Sequence, residues 1–126
     1  MELVESLNYA LKHIEEHLLD ETDSGKVAKH VGLSRFYLER TFAALTGMSV
    51  SEYIRARRLT LAAQELLTGE EKVIDLALKY GYDTPESFTK AFSRFHGVTP
   101  TVARRMSTQL RCQNPLAISI KMEGAN

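Results

Sequence analysis

The 126-residue chain has a single cysteine, Cys112, and no long apolar run. One cysteine excludes an intramolecular disulfide and favours a reducing compartment, and no histidine near it in sequence marks it as a nucleophile. No stretch approaches the roughly 18 apolar residues that span a bilayer. The start, "MELVESLNYALKHIEEHLLDETD", lacks the basic residues and apolar centre of a signal peptide. We therefore expect a globular cytoplasmic protein without membrane association.

Net charge is also absent, because 16 basic side chains balance 16 acidic ones. The balance conceals a segregation of charge along the chain. Residues 1–25 carry seven acidic side chains against Lys12, whereas residues 88–111 carry five basic side chains and no acidic one. Segregated charge suits a surface that faces a polyanion, but it is also common on solvated helices, so the pattern alone does not decide between them.

Apolar spacing predicts an all-α body of about seven helices, since strand-like alternation does not occur before residue 116. The predicted helices cover residues 3–19, 25–30, 35–45, 49–68, 73–80, 85–95 and 101–108. Ser34 is expected to cap the third helix, and Ser49 with Glu52 forms a capping box for the fourth. Thr84 is expected to cap the sixth helix with Pro85 at its first position, and Asp83 with Glu86 is the competing register.

The chain contains one passage twice, as "AKHVGLSRFYLERTFAALTGMS" from Ala28 and "ALKYGYDTPESFTKAFSRFHGVT" from Ala77. Each copy has alanine, glycine four residues later, a capping residue, and three apolar residues at i, i+4 and i+7. We expect these triplets to be buried: Leu38, Phe42 and Leu45, then Phe88, Phe92 and Phe95. Since glycine supplies a left-handed turn, each copy predicts a helix-turn-helix, whose second helix can lie in a DNA major groove. The alternative is a pair of helical hairpins that only pack together.

This organisation predicts a first helix-turn-helix subdomain at residues 1–48, a linker helix at 49–68, a second subdomain at 69–108 and a tail at 109–126. In the tail, Ile118, Ile120 and Met122 alternate with polar residues as in a strand. A lone strand has no partner on an all-α body. We therefore expect either the start of a truncated effector-binding domain or a disordered tail, and a small-molecule effector only if a further C-terminal domain exists.

Three stretches between Arg57 and Pro100 follow a known signature nearly position by position: "RRLTLAAQELL", "VIDLALKYGY" and "SFTKAFSRFHGVTP". Residues 3–106 resemble the DNA-binding domain of the AraC/XylS family of bacterial transcription regulators. The resemblance implies an activator that is not an enzyme, needs no cofactor, contacts RNA polymerase and places two recognition helices in successive major-groove segments. Such segments lie about 34 Å apart, and two different readers on a stiff helix predict monomeric binding to an asymmetric site.

The resemblance places base-reading residues on the exposed faces of the third and sixth helices: Phe36, Glu39, Arg40, Pro85, Glu86, Ser87 and Thr89. Arg35 lies on the same face of the third helix and is a further candidate. Arg40 is the first candidate, because arginine can bond guanine O6 and N7 together. Glu39 departs from the neutral amide frequent in relatives, and it either accepts from cytosine N4 or pairs with a neighbouring arginine. Phosphate contacts are expected from helix caps and basic side chains: Ser34, Arg55, Arg57, Arg58, Thr84, Lys90, Arg94, Arg104 and Arg105.

Two other interpretations of the sequence compete with DNA binding. The stretch "HIEEH", from His13 to His17, fits the inverted zinc-protease motif. No further pattern supplies a distal carboxylate ligand, so we interpret it as a chance match and predict no metal site. The other rival is a helical protein-interaction module without DNA binding. Gel-shift titration separates it from a DNA reader, whose affinity falls linearly in log salt.

Overall fold

A computed structural model of the chain describes residues 2–106 and 110–119. These residues hold seven helices and no strand: α1 (Leu3–Glu16), α2 (Ser24–Val31), α3 (Arg35–Thr46), α4 (Val50–Thr68), α5 (Val73–Lys79), α6 (Pro85–His96) and α7 (Pro100–Met106). The predicted all-α fold is confirmed. Residues 110–119 have no regular secondary structure, and the rest of the predicted strand, from Ile120 onward, lies outside the described residues.

The helix starts follow the predicted capping residues. The hydroxyl of Ser34 accepts from Tyr37 N–H, and Ser49 and Glu52 form a complete capping box. Thr84 rather than Asp83 caps α6, because its hydroxyl accepts from Ser87 N–H and Pro85 stands at the first helical position. Polar caps at these places satisfy N–H groups that have no partner inside the helix.

The end of α1 comes three residues earlier than predicted, at Glu16 rather than Leu19. The ring Nδ1 of His17 lies 2.8 Å from the His13 carbonyl oxygen, within hydrogen-bonding distance of a group at the helix end. Leu18 nevertheless remains buried, at 4% exposure, although it follows the helix. The apolar spacing therefore continues past the last helical residue, which explains why the predicted helix is three residues too long.

The two copies of the repeat make the same turn. Gly32 and Gly81 adopt φ values of 73° and 86°. In the first copy Leu33 N–H donates to Ala28 O at 3.0 Å, and in the second Tyr82 N–H donates to Ala77 O at 2.9 Å. These are the bonds of a Schellman motif, in which a residue with positive φ ends the helix. Each copy thus turns its second helix away by the same backbone geometry.

Two apolar cores flank α4, which contributes to both. The first core encloses side chains of α1, α2 and α3 with the start of α4, and the second encloses α5, α6 and α7 with the rest of α4. Four of the six repeat positions behave as predicted, since Leu38, Phe42, Phe88 and Phe92 are 0% exposed. Leu45 was predicted to be buried but is 46% exposed, because it stands on the last turn of α3, beyond the core that encloses Phe42. Phe95 is partly buried against the second core.

No helix within residues 2–106 and 110–119 is both long enough and apolar enough to cross a bilayer.

Candidate nucleic-acid interface

The exposed face of α3 carries an arginine and an aromatic side chain that point away from the core. Arg40 is exposed and Phe36 is 74% exposed, whereas Leu38 on the opposite face is 0% exposed. Arg35 is exposed but its Nε donates to Ser24 Oγ at 2.9 Å, which ties the start of α3 to the start of α2. Glu39 is half-buried. The predicted base-reading residues of this helix therefore lie on one face. Phe36 and Arg40 are its accessible apolar and charged side chains.

The corresponding face of α6 is more polar and smaller. Glu86 and Ser87 are exposed near its first turn, and Pro85 and Thr89 are half-buried. The anchoring side chains Phe88 and Phe92 lie on the opposite face, with ring centroids 5.7 Å apart. Beyond the first turn, the exposed residues of this helix are mainly cations, including Lys90 and Arg94. Few groups on this face can discriminate bases, because positions rich in donors and acceptors are confined to its first turn.

Arg57, a predicted phosphate ligand, is bonded inside the protein. The residue is 5% exposed. Its Nε and Nη2 donate to both carboxylate oxygens of Glu15, at 2.9 and 2.6 Å, and its Nη1 donates to Gln113 O at 2.5 Å. The hydrogen bond with Glu15 raises the pKa of Arg57 despite its burial. Arg57 therefore joins α1, α4 and the segment after α7, and it cannot reach a phosphate without breaking those bonds.

Arg58 and Arg104, also predicted phosphate ligands, are occupied at the ends of helices. Arg58 donates to Leu18 O at 2.7 Å and Asp20 O at 2.8 Å, in the turn that follows α1. Arg104 donates to Leu66 O at 3.1 Å and Glu71 O at 2.5 Å, where α4 ends. Carbonyls at helix C-termini lack intrahelical donors, and a basic side chain commonly supplies one. Arg58 therefore holds the turn after α1 and Arg104 holds the segment where α4 ends, so the N–H groups in these bonds are not free for a phosphate in this structure.

Three of the four remaining predicted cations line a cleft of about 590 Å³ between α4 and α6. Exposed Arg55 contributes from α4, and exposed Lys90 and Arg94 contribute from α6. Met48, directly after α3, also lines the cleft, so it lies between the two predicted recognition helices. Arg105, exposed on α7, is not among its lining residues. The cleft thus places a positively charged surface beside the α6 face, which suits a polyanion.

The sequence prediction missed one member of this cleft, Arg111. Its guanidinium lies 4.6 Å from the centroid of the Phe95 ring, and it lines the cleft with the cations of α4 and α6. A cation over an aromatic face is electrostatically favourable. The run of positive charge from residue 88 to 111 contained the signal. The position of Arg111 beside α6 could not be predicted, because the residue follows the last predicted helix and no local pattern indicates the path of the chain there.

The histidines of "HIEEH" form a stack instead of a metal site. His13 lies between His17 and His30, with ring centroids 4.1 and 3.9 Å away. Among the residues that the structure describes, no three histidine, cysteine or acidic side chains are placed to hold a metal ion. Burial lowers the pKa of His13, and the neighbouring His30 and His17 lower it further.

His96, beside the cleft, makes the stability of the protein depend on pH. Its Nε2 lies 2.9 Å from Leu59 O, and its Nδ1 is buried without a hydrogen-bond partner in the described part of the chain. Burial lowers the pKa of His96 below its ordinary 6.5, the bond to Leu59 opposes the shift, and Arg111 adds to it. The folded state therefore favours the neutral ring, which stabilises it above pH 6.5, and this contribution is lost as the pH falls.

We predict that the free energy of unfolding decreases between pH 7 and pH 5, and that His96→Gln makes this decrease smaller. Glutamine keeps an N–H donor for the Leu59 carbonyl but does not titrate in this range. Urea unfolding at several pH values measures the effect, with Lys29→Gln as an exposed control. Identical pH profiles for the wild type and His96→Gln would show that His96 is not responsible.

Comparisons with known proteins agree with the paired helix-turn-helix geometry. A family model described as "Helix-turn-helix domain" matches residues 27–106. The HTH-type transcriptional activator AarP of Providencia stuartii is 40% identical over 95 residues, which cover 75% of this chain and 70% of AarP. A transcriptional regulator from Chromobacterium violaceum, described as having an AraC-type DNA-binding domain, superposes with a TM-score of 0.77 at 26% identity, covering 83% of this chain and 94% of that one.

A third match was solved together with nucleic acid. The crystal structure of the DNA-binding domain of AdpA, a global transcriptional factor, in complex with a target DNA, superposes with a TM-score of 0.75. The identity is 26%, and the match covers 80% of this chain and 91% of the AdpA domain. The resemblance seen in the sequence between Arg57 and Pro100 is therefore confirmed. The chain belongs to the AraC family of transcription regulators.

Proposed function

We propose that this chain binds double-stranded DNA as a monomer, with α3 and α6 in successive major-groove segments, and activates transcription. One observation carries the proposal: two turns of equal geometry, at Gly32 and Gly81, each lead into a helix with an exposed face, and a cationic cleft lies between α4 and the second of these helices, α6. The likeness to a domain solved on its target DNA supports it. A pair of hairpins that only packed together would have no need of accessible cations between α4 and α6.

The two helices are proposed to read bases unequally. On α3, Arg40 would bond a guanine, Phe36 would pack on thymine methyl groups, and Glu39 would accept from cytosine or orient an arginine. Arg35 would assist, although its bond to Ser24 restricts it. On α6, the readers would be Pro85, Glu86, Ser87 and Thr89. Because α3 offers the longer donors, we expect it to determine most of the sequence preference.

The proposed phosphate contacts come from the cleft and from helix starts. Arg55, Lys90 and Arg94 would bind the backbone between the two groove segments, and Arg105 would bind it beyond α6. Ser34 and Thr84 cap α3 and α6, whose N-terminal amides carry partial positive charge toward an approaching phosphate. These contacts would set the position of both helices without reading sequence.

The proposed activity has consequences beyond DNA. AarP is named as an activator, so we propose that this chain also contacts RNA polymerase and works in the cytoplasm. The exposed apolar residues Leu67, Ile74 and Leu78 on α4 and α5 offer a surface for such a contact away from the cationic cleft. A small-molecule effector is proposed only for a protein that carries a further domain.

Selection from a random DNA pool, followed by gel-shift titration, tests the proposed function. We expect an asymmetric sequence with two short conserved blocks about one helical turn apart, and affinity that falls linearly in log salt. Sedimentation of the complex should give one protein per duplex. Absence of any shifted band at low salt would overturn the proposal in favour of a protein-interaction module.

Arg40→Ala is predicted to weaken binding to the selected site by about 1–3 kcal/mol and to relax the preference at one base pair. The reason is that a bidentate contact to guanine is lost while phosphate contacts remain. Arg55→Ala is the contrast, because a phosphate ligand should weaken binding equally on all sequences. Repeating the selection with both variants measures the difference. Uniform weakening by Arg40→Ala would contradict its role as a base reader.

A further inference from the structure

The segment after α7, residues 110–119, runs back over the body of the protein and contacts both cores. Leu110 packs against the second core, whereas Leu116 and Ile118 pack against the first. The segment therefore bridges the two helix-turn-helix units on the outside of α4. We call residues 110–119 the strap.

Side chains of α4 hold the backbone of the strap at two points. Gln113 N–H donates to Thr60 Oγ1 at 2.9 Å, and Leu116 N–H donates to Tyr53 Oη at 2.9 Å. Seven helical residues between Thr60 and Tyr53 span about 10.5 Å, at about 1.5 Å per residue. Three extended residues from Gln113 to Leu116 span about 10 Å, at roughly 3.3 Å per residue. The strap thus runs antiparallel to α4, and its two anchor points have about the same spacing as those on the helix.

A side-chain amide on α1 holds the end of the strap. Ile118 N–H donates to Asn8 Oδ1 and Asn8 Nδ2 donates to Ile118 O, both at 2.8 Å. Asn8 therefore pairs with both polar backbone groups of one residue, as a neighbouring strand would. The sequence prediction held that a strand-like tail has no partner on an all-α body. The partner is supplied by helix side chains, Asn8, Tyr53 and Thr60, instead of by another strand.

The other end of the strap delivers a cation to the proposed DNA surface. Arg111 lies between two fixed points, Leu110 in the second core and Gln113 on α4. Its guanidinium lies over the Phe95 ring and lines the cleft with Arg55, Lys90 and Arg94. Glu52 is the single acidic residue among those lining the cleft. Four cations against one carboxylate make this the place where a polyanion would relieve the most repulsion.

We propose that the strap is part of the DNA interface: it holds Arg111 in the cleft between α4 and α6, where the guanidinium binds a backbone phosphate of the duplex between the two major-groove segments. This inference rests on the proposed DNA binding. It adds a ligand from outside residues 27–106, the part matched by the helix-turn-helix family model. The residues that bond the strap backbone are positioning residues, because they would act on DNA only through the strap: Asn8, Tyr53, Arg57 and Thr60.

Salt titration of Arg111→Gln tests the phosphate contact in the full chain with the selected duplex. One lost phosphate contact should reduce the slope of log affinity against log salt by about 0.9. Affinity at low salt should fall roughly tenfold, as expected for a lost charge-assisted hydrogen bond, and by the same factor on an unrelated duplex. Lys12→Gln, an equal charge change at an exposed position of α1, is the matched control and should leave the slope unchanged.

A double-mutant cycle tests the positioning role. Asn8→Ala releases Ile118 and should reduce the salt slope in the wild-type background. In the Arg111→Gln background it should have little further effect, because the group that it positions is already absent. Hydrogen exchange should show faster exchange at the Leu116 and Ile118 amides of Asn8→Ala while α4 stays protected. A variant that merely destabilised the fold would lower the melting temperature without this interaction between the two substitutions.

The outcomes separate this inference from the proposed function. If the wild type shifts DNA and Arg111→Gln keeps the wild-type slope, the strap is not at the interface, although DNA binding stands. If the effects of Asn8→Ala and Arg111→Gln add fully, Arg111 binds phosphate but the strap does not position it. If the wild type shifts no duplex at low salt, both proposals fail.

Discussion

Phe92→Ala is expected to lower the free energy of unfolding by roughly 3–5 kcal/mol, whereas Phe36→Ala is expected to change it by less than about 0.5 kcal/mol. The two residues have the same side chain and occupy helices of the same type, α6 and α3. Phe92 is 0% exposed and Phe36 is 74% exposed. The two substitutions therefore distinguish a phenylalanine that stabilises the core from one that is exposed on the proposed DNA-binding face.

The large cost for Phe92 follows from its surroundings. Its ring lies 5.7 Å from that of Phe88 and 4.4 Å from that of His96, measured between centroids. Truncation to alanine leaves a cavity that the rigid backbone of α6 closes only in part, so contact energy and apolar burial are lost together. Domains of this size are stable by about 5–15 kcal/mol, so the variant should lose a large share of the total.

Urea unfolding and DNA titration of both variants measure the two effects. Phe36→Ala should keep the wild-type midpoint and bind the selected site more weakly, with reduced preference at a thymine position. Phe92→Ala should unfold at a lower urea concentration. It should lose DNA binding only at urea concentrations where the second helix-turn-helix subdomain is unfolded. Equal destabilisation by the two substitutions would contradict the assignment of their faces.

Those features of the fold that depend on neighbouring residues could be predicted from the sequence. Capping at Ser34, Ser49 and Thr84 uses N–H groups three residues away, and the Schellman turns need only glycine and the helix before it. The buried triplets failed at Leu45, on the last turn of α3, because periodicity identifies a face but not how far the core extends along it. Capping residues, turn glycines and apolar periodicity therefore predicted the helix ends and the buried faces to within about one helical turn.

The candidate site was harder to predict, because the role of an arginine depends on partners far away in sequence. Arg55 and Arg57 are two residues apart in "RAR", and nothing local distinguishes them. One is exposed in the cleft, and the other is bonded to Glu15, 42 positions away, and to Gln113, 56 positions away. The same reason hid Arg111, whose position depends on the path of the strap. Charge patterns located the polyanion-facing region but not its members.

Glu15→Ala is expected to destabilise the protein by roughly 3–5 kcal/mol, more than Arg57→Met, because it leaves a buried guanidinium without its carboxylate. The Arg57 side chain is 6% exposed, whereas that of Glu15 is 34% exposed. Water can therefore solvate a carboxylate left alone better than an arginine left alone. For Arg57→Met we expect roughly 2 kcal/mol, because the methionine refills part of the apolar volume and Gln113 O loses a donor.

The double variant Glu15→Leu with Arg57→Met should be more stable than Glu15→Ala alone, since neither buried charge remains. Urea unfolding of the three variants establishes the order. If Arg57→Met proved costlier than Glu15→Ala, the assumption that the guanidinium is the more deeply buried partner would be wrong.

The same substitution decides whether Arg57 touches DNA. The measurement is made in the Arg111→Gln background, where loss of the bond to Gln113 O can no longer act through the strap. There, under conditions where the protein is fully folded, Arg57→Met should leave the dependence of affinity on salt unchanged, because its guanidinium is already bonded inside the protein. Arg55→Met is the matched control two residues earlier: it should leave the unfolding midpoint unchanged and reduce the salt slope by about 0.9, the value for one phosphate. A further reduction of the slope by Arg57→Met in that background would mean that the bond to Glu15 breaks when DNA binds. The cost of breaking that buried pair would then have to be subtracted from the affinity.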